Sequence, residues 1–140
     1  MSTVIIDEVE MPKNMNFFIL EDTPLFQKKM VDSLNDLGFS GNVTVADNIA
    51  MAYKKLEDKK THFILSDWNL PDGKGIDFLK KIRADSNYDG IPFIMVTTMD
   101  GVDEIIDAAQ IGADDYIIKP WEEDEFAKKI SSAYQKRVNK

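Results

Sequence analysis

The sequence has no cysteine, which excludes a disulfide framework, a thiolate nucleophile and a zinc-thiolate site together. Histidine is nearly as scarce. His62, the single one, precedes an apolar run with no partner ligand beside it and reads as incidental. Basic residues are outnumbered, 17 Lys and Arg against 25 Asp and Glu for a net charge of -8, so non-specific attraction to nucleic acid or an anionic membrane is disfavoured. No run approaches the roughly 18 apolar residues of a membrane span. The opening "MSTVIIDEVEMPKN" also lacks the basic start and long apolar stretch of a signal segment. Repeats, low-complexity tracts and linkers are missing too. What remains is 140 residues, 44% hydrophobic, enough for one domain with a real core. A soluble, cytoplasmic, monomeric protein is expected, with proteins or cations as partners rather than DNA or membrane.

Five stretches have the texture of buried strands: "MNFFILED" (15–22), "NVTVAD" (42–47), "THFILSD" (61–67), "IPFIMVTT" (91–98) and "DYIIKP" (115–120). Their apolar runs are continuous rather than alternating, as in strands covered on both faces. Helical stripes lie between them. Phe26, Met30, Leu34 and Leu37 form one, and Ile49, Ala52, Tyr53 and Leu56 a second. Pro24 suits a first helical turn and Gly38 a helix exit. Glu122 to Glu125 open the last helix and Lys136 and Arg137 close it, the distribution that the helix dipole favours. Five strands alternating with five helices predict an α/β fold, a parallel doubly wound sheet with helices on both faces. Residues 1–14 fall outside the pattern. Their "VIIDEV" is compatible with an added edge strand, a docking peptide or a loose tail.

Ligands of such sheets bind at the carboxyl ends of the strands, and the residues found there are Glu21, Asp22, Asp67, Thr97, Thr98 and Lys119. Gathered carboxylates repel one another, and a divalent cation relieves them. Mg2+ suits a site of two or three carboxylates plus a backbone carbonyl. Lys119 adds what a purely structural metal site has no use for: an ammonium that, with a hydroxyl, can hold a phosphoryl group beside the metal. Asp67 is then a candidate nucleophile, because carboxylates form aspartyl phosphates. Thr98 and Ser66 read as structural. A calcium loop starting at Asp67 is excluded, since Pro71 would fill its fifth position, Asp72 its glycine position and Phe78 its glutamate position.

Glu21-Asp22 after an apolar strand, "SDWNLPDG" around Asp67, "MVTT" and "YIIKPW" together resemble the motif set of a response-regulator receiver domain. The likeness runs from about residue 15 to the C-terminus. It is particularly close to the stand-alone CheY-like chemotaxis type, with "KKIRAD" and "AAQIGADDYIIKPW" included. The resemblance implies a five-stranded sheet of order 2-1-3-4-5, with residues 15–140 as the receiver domain and 1–14 as an N-terminal extension. It implies that Asp67 accepts phosphate from a histidine kinase, and that Glu21, Asp22, Asp67 and the backbone carbonyl of Asn69 hold Mg2+. Thr97 and Lys119 would contact the phosphoryl oxygens, and the Lys119-Pro120 peptide bond would be cis. Tyr116 would rotate inward on phosphorylation. Ile105, Ala109, Tyr116 and Lys129 match positions that touch an output protein, such as the flagellar motor switch; a phosphatase is a further possible partner.

Some positions depart from the family pattern. Glu21 stands where Asp is common, Met99 where chemotaxis members often carry a charge, and Val102 replaces a basic residue of the output face. Trp68 is expected to be exposed beside the site. Because no effector domain follows Lys140, output through association is expected, in a switch that is no enzyme beyond its own phosphorylation and dephosphorylation. Two other readings stand beside this one. The first is a phosphorelay intermediate that passes phosphate to a histidine phosphotransfer protein. The second is a haloacid dehalogenase-type phosphatase, disfavoured because Asn69 occupies the place of its general acid.

Overall fold

The computed structural model describes residues 2–138. Its centre is a parallel sheet of five strands: β3 (Phe17–Leu20), β4 (Val43–Ala46), β5 (Phe63–Ser66), β8 (Phe93–Thr97) and β9 (Asp115–Ile118). Their order is β4-β3-β5-β8-β9, which is 2-1-3-4-5 within this sheet. Phe17–Leu20, Phe63–Ser66 and Phe93–Thr97 are buried at every residue, as continuous apolar runs predict for inner strands of a doubly covered sheet. Alternation still sorts their side chains. Phe17, Ile19, Phe63, Leu65, Ile94 and Val96 enter one core, while Phe18, Leu20, Ile64, Phe93 and Met95 enter the other.

Helices α1 (Pro24–Asp36) and α5 (Glu123–Val138) close the first core through Met30, Leu34, Phe126 and Ile130. The opposite core is closed by α2 (Ile49–Asp58), α3 (Gly75–Ala84) and α4 (Val102–Ile111), through Ala52, Leu56, Phe78, Leu79, Ile82 and Ala108. The punctuation follows the sequence. Pro24 begins α1, and Gly38 just past its end sits at φ 102°, a left-handed conformation that costs glycine nothing. Asn48 caps α2, its side chain accepting from the Met51 N–H at 2.8 Å. Acidic residues in the first turn of α5 and Lys136 and Arg137 in its last match the helix dipole. Among the described residues no helix is long and apolar enough to cross a membrane.

The segment before Phe17 is neither an edge strand of the main sheet nor a loose tail. Strands β1 (Thr3–Ile6) and β2 (Val9–Pro12) form a separate antiparallel hairpin. Its turn residues Asp7 and Glu8 have φ of 49° and 68°, as a two-residue primed turn requires. The hairpin is held because Val4 and Met11 bury into the same core as Phe17, Phe39 and Ile130. His62 has work at that end of the sheet: its Nδ1 accepts from the Asn16 N–H at 2.9 Å.

Candidate functional site

The sheet's own hydrogen bonding sets the site's backbone. Each key residue sits one step beyond a strand, with its N–H still tied to the neighbouring strand. Glu21 donates to the Ala46 carbonyl at 3.0 Å, Asp67 to that of Leu20 at 2.9 Å and Lys119 to that of Thr97 at 2.9 Å. Three side chains therefore leave one sheet edge from fixed positions.

They meet. The Lys119 ammonium donates to Glu21 Oε1 at 2.5 Å and to Asp67 Oδ2 at 2.9 Å. All three are buried, and Glu21 is fully enclosed. The other oxygens are also engaged: Asp67 Oδ1 accepts from the Trp68 N–H at 2.6 Å and Glu21 Oε2 from the Thr23 N–H at 3.0 Å. Burial raises the Glu21 pKa above the ordinary carboxylate value, and the hydrogen bonds from Lys119 and Thr23 pull against that rise. Asp22 is exposed at the mouth. One carboxylate oxygen each from Glu21, Asp22 and Asp67 lies within 4.8 Å of the others, an all-oxygen donor set with the charge and spacing that suit Mg2+. The Lys119-Pro120 peptide bond is cis.

The chain reverses directly after Asp67. Asn69-Leu70 (β6) and Gly73-Lys74 (β7) form a two-residue antiparallel ladder, and the Asp72 carboxylate at its turn accepts from the Ile49 and Ala50 N–H groups of α2 at 2.8 and 3.0 Å. Those two bonds hold the Asp72 pKa below the usual aspartate value. Gly75 then starts α3 so close beneath the Asp67 loop that a Cβ there would stand 1.9 Å from the Asp67 carbonyl oxygen. Trp68 corrects the expectation of an exposed ring. It is 6% exposed and belongs to the core that also holds Ile76 and Ala52, because this reversal carries the indole inward.

Thr97, Met99 and Tyr116 form a second connected group. The fully buried Thr97 accepts at Oγ1 from the Met99 N–H at 3.3 Å, and the Tyr116 hydroxyl donates to the Met99 carbonyl at 2.6 Å. The Tyr116 ring is already turned inward, 8% exposed. Its phenol is pushed up to about 12, chiefly by burial and then by the charges of Glu104, Asp67 and Asp100. Ile105, Ala109 and Tyr116 line one depression of about 130 Å³ between α4 and β9. Lys129 lies beside it, bonded to Asp115 Oδ1 at 3.1 Å. Sequence reasoning weighed Asp72 only as a failed calcium-loop position, passed over Gly75, and treated Phe26 as ordinary core. Its ring centroid is 4.4 Å from the Lys119 ammonium.

Residues 17–131 match the response regulator receiver domain family. The chain belongs to the response-regulator receiver family. Chemotaxis protein CheY-3 of Vibrio cholerae is 34% identical over 129 residues, covering 92% of this chain and 98% of that protein. Chemotaxis protein CheY of Pseudomonas aeruginosa is 35% identical over 125 residues, covering 89% and 99%. A two-component response regulator of Clostridium difficile, solved by crystallography, superposes with a TM-score of 0.76 at 26% identity, covering 90% of this chain and 99% of that one. This receiver is therefore of the CheY type, from a family of signalling switches, and its acidic trio is a set that could hold the metal receivers use.

Proposed function

We propose that the chain is a stand-alone phosphorylation switch of a two-component, chemotaxis-type pathway. In this reading it works in the cytoplasm and takes a phosphoryl group onto Asp67 from the phosphohistidine of a histidine kinase. The observation that carries it is the Lys119 ammonium lying between Glu21 and Asp67 with Asp22 at the mouth. An Asp67 carboxylate oxygen forms the new bond to phosphorus while the phosphorus-nitrogen bond breaks, and the electron pair stays on the imidazole nitrogen, which takes a proton. Glu21, Asp22, Asp67 and the Asn69 backbone carbonyl would hold Mg2+, whose charge offsets that of the phosphoryl oxygens. Lys119, already bonded to Asp67, exchanges a carboxylate oxygen for a phosphoryl oxygen without leaving its place.

Readout follows through Met99. Its N–H is bonded to Thr97 and its carbonyl to Tyr116, so a Thr97 hydroxyl drawn to the phosphoryl group releases one side of a residue that anchors the other. The Ile105, Ala109, Tyr116 and Lys129 face then changes its affinity for an output protein such as the flagellar motor switch. The chain's chemistry is its own phosphorylation and dephosphorylation, the latter open to help from a phosphatase. The test is incubation with acetyl phosphate, with and without Mg2+, followed by intact mass measurement alongside Asp67→Asn. One added phosphoryl group that requires both Mg2+ and Asp67 is expected; labelling of Asp67→Asn to the wild-type extent would refute the assignment.

A further inference from the structure

An ammonium has three N–H donors. Lys119 spends two on Glu21 and Asp67, and the aromatic face of Phe26 lies 4.4 Å from the nitrogen. With its side chain 4% exposed, Lys119 has little water to turn to. A desolvated cation over a ring face is attracted by the ring's quadrupole. The ring is itself held: Phe26 is partly buried on α1 and packs on Trp121 at a centroid separation of 6.0 Å. Trp121 in turn stacks on Phe126 at 5.6 Å and donates through Nε1 to Ser33 Oγ at 3.3 Å. A side chain read from the sequence as one position of the α1 stripe is thus part of a wall that reaches the site.

We propose that Phe26 is a positioning residue that holds the Lys119 ammonium in place while the lysine exchanges the Asp67 carboxylate for an oxygen of the incoming group. Hydrogen bonds to carboxylates are directional and must break during that exchange. Attraction to a ring face tolerates sliding and persists through it. A leucine would fill much of the same volume and supply no quadrupole. The inference rests on the reading of Lys119 as the cationic partner of a phosphoryl group.

The probe is beryllofluoride titrated calorimetrically into the Mg2+-loaded protein. Phe26→Leu should weaken its binding by about three- to tenfold, Phe26→Tyr should restore it to within about twofold, and affinity for Mg2+ alone should move by less than about twofold, because the ring acts on the ammonium and supplies no oxygen ligand. In a Lys119→Ala background the Phe26→Leu change should lose its effect, as expected of a residue acting through the lysine. NMR gives a second readout: the Lys119 ε-methylene protons should be ring-current shifted upfield in the wild type and Phe26→Tyr, and not in Phe26→Leu. Unchanged beryllofluoride affinity in Phe26→Leu, failure of Phe26→Tyr to rescue, or an effect that persists without Lys119 would each overturn the proposal. If the wild type itself bound no beryllofluoride, the phosphoryl-site reading would fall with it, an outcome distinct from the other three.

Discussion

A lysine buried against Glu21, Asp67 and a phenylalanine ring has exchanged water for two carboxylates, and each carboxylate depends on it. Removing one partner of a buried ion pair leaves the rest uncompensated, at a typical cost of about 3 to 5 kcal/mol. Lys119→Ala should therefore unfold at lower urea, by about 3 kcal/mol without divalent ions, and recover much of that loss when Mg2+ is added. The same variant should bind Mg2+ more tightly than the wild type, because a competing cation has gone. Calorimetry and urea unfolding at fixed Mg2+ check both, and weaker Mg2+ binding would mean that Lys119 helps rather than opposes the metal. Glu21, Asp22, Asp67 and Lys119 were legible in the sequence because each ends or follows an apolar run, and a parallel sheet brings such ends to one edge. Phe26 was not. The spacing that marks a core stripe is the same whether a ring meets aliphatic side chains or an ammonium, and only the tertiary placement of α1 separates the two.

At the level of elements, the site depends on a tight reversal between β5 and α3. Asp72 ties that reversal to the start of α2 through two N–H bonds, and its pKa is lowered from 3.8 for that reason. A carboxylate whose folded pKa is depressed adds stability that is complete above its unfolded value and fades as pH falls through the folded one. The urea midpoints of wild type and Asp72→Ala should thus differ at pH 7 and converge as pH drops below 3.8; a gap of constant size across that range would contradict the capping role. Gly75 acts by absence. An alanine methyl 1.9 Å from the Asp67 carbonyl oxygen cannot be housed without moving the loop, so Gly75→Ala should lose about 2 kcal/mol or more and slow labelling by acetyl phosphate. Normal stability with normal labelling would show that the loop yields freely. "PDG" announces a turn on local grounds, yet Asp72's partners lie more than twenty residues upstream and only folding discloses them. The N-terminal hairpin was similarly hidden. Asp7-Glu8 lacks the Asn-Gly type of signal that marks two-residue turns, and burial of Val4 and Met11 against α5 supplies what the local sequence does not.

Over the whole molecule, continuous apolar strands alternating with amphipathic helices were enough to predict a parallel sheet covered on both faces. The order β4-β3-β5-β8-β9 was not readable from periodicity, which says that strands are buried and not which lie side by side; it came from the likeness to receivers. Order matters here because it places Glu21 and Asp67 on adjacent strand ends and brings Lys119 back to them from the far edge. The sheet also separates two tasks. In the proposed function, chemistry gathers at its carboxyl edge, while Tyr116 packs with Ile105 and Ala108 of α4 and Lys129 of α5 pairs with Asp115, so a change at Asp67 would reach that face through Met99 rather than by contact. The central claim is that one carboxylate among 25 acidic residues takes the phosphoryl group. Its most direct test is to phosphorylate the protein with acetyl phosphate and Mg2+, reduce the acyl phosphate with borohydride, and map the product by peptide mass spectrometry. Homoserine at position 67 alone is the result the structure predicts; homoserine at Asp22, Asp47 or Asp72 with Asp67 intact would contradict it.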